Sequence, residues 1–138
     1  MTAEEVVVFE WDQMIHSDYV LNQNHVYRHW SHKAKRVEHC KDLGRVQSLR
    51  LPKFKTARLD VEVYYPVAWK ADVNNWQPTM KAYVDGLVNV HPVTKLGQGI
   101  LFDDNDRYFS GPHMTKGPGK SGVKGWFRFH CKLTGIRR

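Results

Sequence analysis

The sequence predicts a small α+β domain of two layers, a mixed β-sheet packed against about two helices. Three stretches carry that prediction. LDVEVYYPV alternates apolar and polar residues, QPTMKAYVDGLVN repeats its apolar residues at helical spacing, and WFRFHCKL alternates again near the C-terminus. Strand and helix signals are interleaved in a chain of 138 residues, the size of one domain, so residues 1–138 are read as a single unit.

From the N-terminus, EEVVVFEW predicts a strand over about residues 5–11. LNQNHVYRHWSHKAKRVEHCKDLGRV contains no proline and no glycine before Gly44, which predicts a helix over much of 26–43. Asn24 is the expected cap, Gly44 the exit, and Val26, Trp30, Ala34 and Val37 the buried stripe. In residues 59–67, Leu59, Val61, Val63, Tyr65 and Val67 share one face and Asp60, Glu62 and Tyr64 the other, as in a half-buried strand. Pro66 puts the end of that strand at an edge or leaving the sheet. A second helix over 78–89 follows from Met80, Tyr83, Val84, Leu87 and Val88, with Pro78 in its first turn. Lys81 and Asp85 sit side by side at the margin of that apolar arc. HPVTKLGQG, residues 91–99, reads as a loop, RYFSGPHM as a strand broken near Gly111, and TKGPGKSG as a basic turn. The last strand directs Phe127, Phe129, Cys131 and Leu133 to the core and leaves Arg128, His130 and Lys132 on a positive face.

The formal charge of +7 is unevenly spread. Residues 1–19 hold five acidic residues and no Lys or Arg; residues 20–56 hold nine basic and two acidic. Residues 57–110 hold five basic and seven acidic, and residues 111–138 hold seven basic and none acidic. Basic segments of this kind attract nucleic acid and anionic membranes alike. No apolar run approaches the roughly eighteen residues of a membrane span, and the N-terminus lacks a secretory pattern, so a cytoplasmic protein without a membrane partner is expected. Cys40 and Cys131 are expected to stay reduced and to take no part in catalysis.

The acidic middle carries the chemistry. Asp72 follows a strand, Asp85 lies on a helix, and Asp103, Asp104 and Asp106 follow the short apolar ILF. Carboxylates delivered by three separate elements supply a hard cation with oxygen ligands, and Mg²⁺ is the natural occupant. With Lys81 opposing negative charge as it develops, such a centre suits phosphoryl chemistry. Plainer roles fit the same residues: turn aspartates bonded to nearby amides, an i,i+4 ion pair between Lys81 and Asp85, and Asn74 and Asn75 as caps or ligand-orienting amides.

Taken together, DVNNWQPTMKAYVDGL with Asp72, Asn75, Pro78, Lys81 and Asp85, followed by LFDDNDR, resembles the RusA-like family of Holliday-junction endodeoxyribonucleases, in particular its phage-borne branch. LNQNHVYRHW, from Leu21 to Trp30, is similar to a segment near the start of many such proteins, and the resemblance covers roughly residues 20–130. It implies a small α+β homodimer in the cytoplasm of a bacterium or phage-infected host. It implies binding of four-way DNA junctions and paired nicking with Mg²⁺, or Mn²⁺ in its place. Asp72 would be the first metal carboxylate, Lys81 the charge-stabilising lysine, Asp85 the helix carboxylate near the site and Asp104 the later ligand, with Asp103 its competitor or helper. Asn74 stands where the best-known form carries a second aspartate, and an amide ligand brings no negative charge. The spacing from Asn75 to Lys81 exceeds that of the best-known form and suits the phage branch, while HPVTKLGQG lengthens the link to the DD motif.

The residues expected on DNA are Asn24, Arg28, His29, Lys33, Arg36, Lys116, Lys120 and Lys124, mostly through phosphates. His25, His29, His32, His39 and Cys40 lack the spacing of a zinc site. Trp30, Trp69, Trp76 and Trp126 are core candidates, and one of them stacking on an opened junction is compatible with the sequence. Two other accounts remain: a nuclease for flap or other branched DNA, and a branched-DNA-binding protein without catalysis.

Overall fold

In the computed structural model the described residues are 4–68, 72–102 and 106–137. The chain forms four strands, β1 (Glu5–His16), β2 (Thr56–Tyr65), β3 (Phe109–Lys120) and β4 (Trp126–Arg137), of which β2 and β4 alternate buried and outward residues most clearly. They make one sheet in the order β1-β4-β2-β3. β4 runs antiparallel to both its neighbours, and β3 lies parallel to β2 at the edge. A parallel neighbour requires a crossover, which helix α2 (Gln77–Val88) supplies. Helix α1 (Trp30–Ser48) packs beside α2, and the two cover one face of the sheet. The two-layer mixed α+β arrangement expected from the sequence is therefore observed.

The core lies between these layers. Leu59, Val61, Val63 and Tyr65 from β2 and Phe127, Phe129, Cys131 and Leu133 from β4 meet Met80, Tyr83 and Leu87 of α2, all almost fully buried. Each belongs to the predicted apolar face of its element. Burial pushes the Cys40 thiol up to about 12 and Cys131 higher still, which leaves both as inert core groups.

Several boundaries differ from expectation. β1 continues to His16, because its full length pairs with β4 up to Trp126. The first helix starts at Trp30 and is capped by His29, whose Nδ1 accepts the Ser31 amide; Asn24 lies well before it. Val26 and Trp30 are exposed rather than buried, Ala34 is exposed, and Val37 is only half-buried. The buried residues of α1 begin at Cys40, so its N-terminal half stands out from the core. Nor does Gly44 end the helix. It lies where α1 crosses α2, and a Cβ there would strike the Tyr83 carbonyl, so close packing overrides the low helix propensity of glycine. TKGPGKSG, expected as a turn, is strand as far as Lys120. Its prolines and glycines are tolerated because β3 is an edge strand whose register against β2 shifts twice, at Gly111–Pro112 and again around Gly117–Gly119. The outer face of β4 is not a free positive surface either, because β1 and β2 set Glu10, Asp12, Asp60 and Glu62 opposite it.

Among the described residues, no helix is long and apolar enough to cross a membrane.

Candidate functional site

Because β2 and β3 are parallel, their C-terminal ends lie together, and the chain leaving β2 turns there to enter α2. The turn is a 3₁₀ segment, Val73–Trp76, opened by Asp72. An exposed Asp72 Oδ1 accepts the Asn74 amide at 2.9 Å, which fixes the carboxylate at the mouth of the turn. This is the capping role an aspartate plays in such a position, and a carboxylate that accepts one amide retains its second oxygen as a further acceptor. Asn74 is exposed beside it.

Asn75 is the hinge of the arrangement. Its side-chain oxygen accepts the Asn24 amide at 3.0 Å and the Gln23 amide at 3.4 Å, and its carbonyl accepts the Gln23 backbone N–H at 2.8 Å. One turn further, buried Thr79 accepts the Leu21 N–H at 2.7 Å and donates to the Leu21 carbonyl at 2.9 Å. Residues 21–24 are thereby stitched to the start of α2. Two segments about fifty positions apart, each singled out in the sequence, become one surface. Thr79 was not foreseen; in sequence it reads as an ordinary helix residue.

Lys81 and Asp85 are both exposed, and among the ion pairs of the described residues none joins them. Gln77, Lys81 and Asp85 lie four apart on one side of α2. Gln77 donates to the Pro112 carbonyl of β3 at 3.4 Å, so the start of this row lies against β3. Asp103 and Asp104 lie outside the described residues.

Behind Asp72, Tyr65 closes the floor. Burial raises its phenol above the ordinary range, a hydrogen bond with Trp76 opposes the rise, and the Asp72 carboxylate adds to it. The Lys116 ammonium sits 5.9 Å from the centre of the Tyr65 ring. With Tyr65, Lys116 and Lys120 line a cavity of about 440 Å³ where β2 and β3 end. Lys124 is exposed in the turn between β3 and β4.

On the other side of the 21–24 segment, a cavity of about 480 Å³ separates residues 18–28 from α1. Tyr19, His25, Tyr27, Arg28, Lys35 and Arg36 are among its lining residues. Arg36 is held in place by the Val20 carbonyl at 2.8 Å and by the Tyr27 ring. Arg28, His29 and Lys33 are exposed around it, although His29 also serves as the helix cap. Not every basic residue is available to a ligand. Arg45 is buried against Glu38 and Asp42, each at 2.7 Å, and Arg58 is held by Asp60.

The donors near the turn are all oxygens, Asp72, Asn74 and Asn75, with Asp85 on the following helix; that is the chemistry of Mg²⁺ and Mn²⁺ rather than of zinc. Among the described residues, no three His, Cys, Asp or Glu side chains converge on one metal position. The donor type thus fits a hard cation, and completing a centre requires ligands beyond the described ones. Comparison with protein-family models and with curated proteins finds no match to this chain.

Proposed function

We propose that this protein is a metal-dependent endodeoxyribonuclease that cuts phosphodiester bonds in four-way DNA junctions by paired nicks, acting as a homodimer. The observation that carries the proposal is the union of residues 21–24 with the Asp72 turn through Asn24 and Asn75. It ties the uncharged segment that leads into the basic Arg28–Arg36 region to an oxygen-rich turn, an arrangement that suits holding DNA phosphates beside a hard cation.

In this reading Asp72 and Asp104 hold the cation, with Asp85 and Asp103 beside them. Asn74 and Asn75 orient the site as amides. Bound Mg²⁺, or Mn²⁺ in its place, supplies Lewis acidity toward the phosphodiester. Lys81 offers positive charge to the phosphoryl oxygens as negative charge builds, and its exposure leaves it free to reach them. Arg28, Lys33 and Arg36 on one flank and Lys116, Lys120 and Lys124 on the other contact the phosphates of the arms.

The test is cleavage of a labelled four-way junction, a flap and a linear duplex, in Mg²⁺ or EDTA, by wild type and by Asp72→Ala and Asp104→Ala. Junction-selective nicking that needs the metal and falls at least about a hundredfold in each variant is the expected result. Equal cutting of the flap would widen the substrate to branched DNA in general. Cleavage that persists in both variants would remove the proposed centre.

A second reading is favoured by one observation. Asn74, exposed beside Asp72, brings no negative charge, and Asp72 already commits one oxygen to its amide. A chain so built would bind branched DNA without cutting it. Tight junction binding with no nicking in Mg²⁺ or Mn²⁺ would support that alternative.

A further inference from the structure

A four-way junction differs from a continuous duplex at its branch point, where base stacking is interrupted, and proteins read such bases with aromatic faces set among cations. Among the described tryptophans Trp30 is the most exposed, with Trp126 next at 37%. Trp76 is buried in the core, Trp11 donates to the Tyr83 hydroxyl, and Trp126 lies edge-on to His16 with ring centres 5.1 Å apart. Trp30 is 75% exposed, and Val26 nearby in the chain is 88% exposed. Two apolar side chains left in water, one on the first residue of α1 and one on the segment leading into it, gain by being covered.

Their surroundings specify the cover. The first turn of α1 has no acidic residue. Arg28 and His32, two residues to either side of Trp30 in sequence, line the 480 Å³ cavity together with Val26, Lys35 and Arg36; Asp18 is the one acidic residue in its lining, and the Trp30 indole stands outside that lining. The His29 ring supports the indole at 5.5 Å between centres. A second copy of the chain would bring two such basic clusters together, whereas a nucleobase arrives with phosphates attached. Residues 21–24, which lead into this region, are bonded to the turn that begins at Asp72.

We infer that Trp30 stacks on an unpaired or unstacked base at the branch point, with Val26 against the base edge and Arg28, Lys35 and Arg36 on the flanking phosphates. The inference rests on the branched-DNA reading above and names the residue that would make it selective for branched substrates.

Wild type, Trp30→Ala and Trp30→Phe, each shown by thermal unfolding to be folded, are titrated in EDTA against two DNAs. One is a four-way junction with 2-aminopurine at the branch point, the other a linear duplex of equal length. Trp30→Ala should weaken junction binding about tenfold more than duplex binding and abolish the 2-aminopurine change seen with wild type. Trp30→Phe should restore most of both. Equal losses on the two DNAs, or an unchanged 2-aminopurine signal, would overturn the stacking role while leaving the branched-DNA reading in place. Wild type that binds neither DNA would overturn both. A smaller sedimenting species for Trp30→Ala than for wild type would assign the indole to a contact between copies and overturn the stacking role.

Discussion

On the open face of the sheet, His130 lies between two carboxylates, with Nδ1 2.8 Å from Asp12 and Nε2 3.2 Å from Glu10. Glu62 is its register neighbour on β2, Arg128 reaches Asp12 at 3.5 Å, and Lys132 is the next outward residue on β4. Hydrogen bonds to Asp12 and then Glu10 raise the His130 pKa above its ordinary 6.5, against the opposing effect of burial. A pKa raised in the folded state stabilises fully below the unfolded value and ceases to do so as pH rises through the folded one. The stability lost in His130→Gln, measured by urea unfolding, should therefore be larger near about pH 6 than near about pH 8.5. An equal loss at both would show that the imidazolium does not bind β1 to β4. The same scale shows how far residues speak for themselves. Asp72 and Asn75 stood out in the sequence, but each kept both a capping and a ligand role until their partners were known. In the structure Asp72 caps the turn, and Asn75 binds a segment that only folding brings near.

At the scale of elements, α1 and α2 meet through two glycines. A Cβ on Gly86 would collide with the Lys41 carbonyl, and one on Gly44 with the Tyr83 carbonyl. Alanine at position 86 gains about 1 kcal/mol of helix propensity, but backbone cannot yield as a flexible side chain does, so the helices must separate. Gly86→Ala is expected to destabilise the protein by about 3 kcal/mol in chemical denaturation. A neutral or stabilising effect would refute the close crossing. The apolar arc of α2 was legible because Met80, Tyr83, Val84, Leu87 and Val88 keep helical spacing and are all buried, although burial extends beyond that arc to Thr79, Ala82 and Gly86. α1 was not, because half of it has no core to face and the other half buries Gly44, Arg45, Gln47 and Ser48. Hydrophobic periodicity is silent about a helix fastened by glycine contact and by an arginine held between Glu38 and Asp42.

Over the whole molecule, the 21 Lys and Arg side chains overstate what is open to a ligand, since Arg45, Lys55, Arg58 and Arg128 all face carboxylates. Exposed basic residues group on the outer half of α1 and along β3 and the β3–β4 turn, while others, among them Arg50, Lys53, Lys81 and Lys95, lie elsewhere. Position, not total charge, should then govern DNA binding. Plots of log affinity against log salt should lose about one unit of slope in Lys33→Ala and in Lys120→Ala, and Arg58→Ala should leave the slope unchanged. Equal changes in all three would mean that net charge alone attracts DNA.

By itself the sequence determined the fold class, the apolar faces of β2, α2 and β4, and the residues around which a site could form, because period and spacing are local properties of a chain. Only the tertiary structure decided that residues 21–24 and the Asp72 turn are one surface, that Gly44 is a crossing point, and which basic groups are already neutralised. It also separated an exposed Trp30 from a buried Trp76. Each of those depends on contacts between distant segments, and such contacts come into being only when the core closes and brings the segments together.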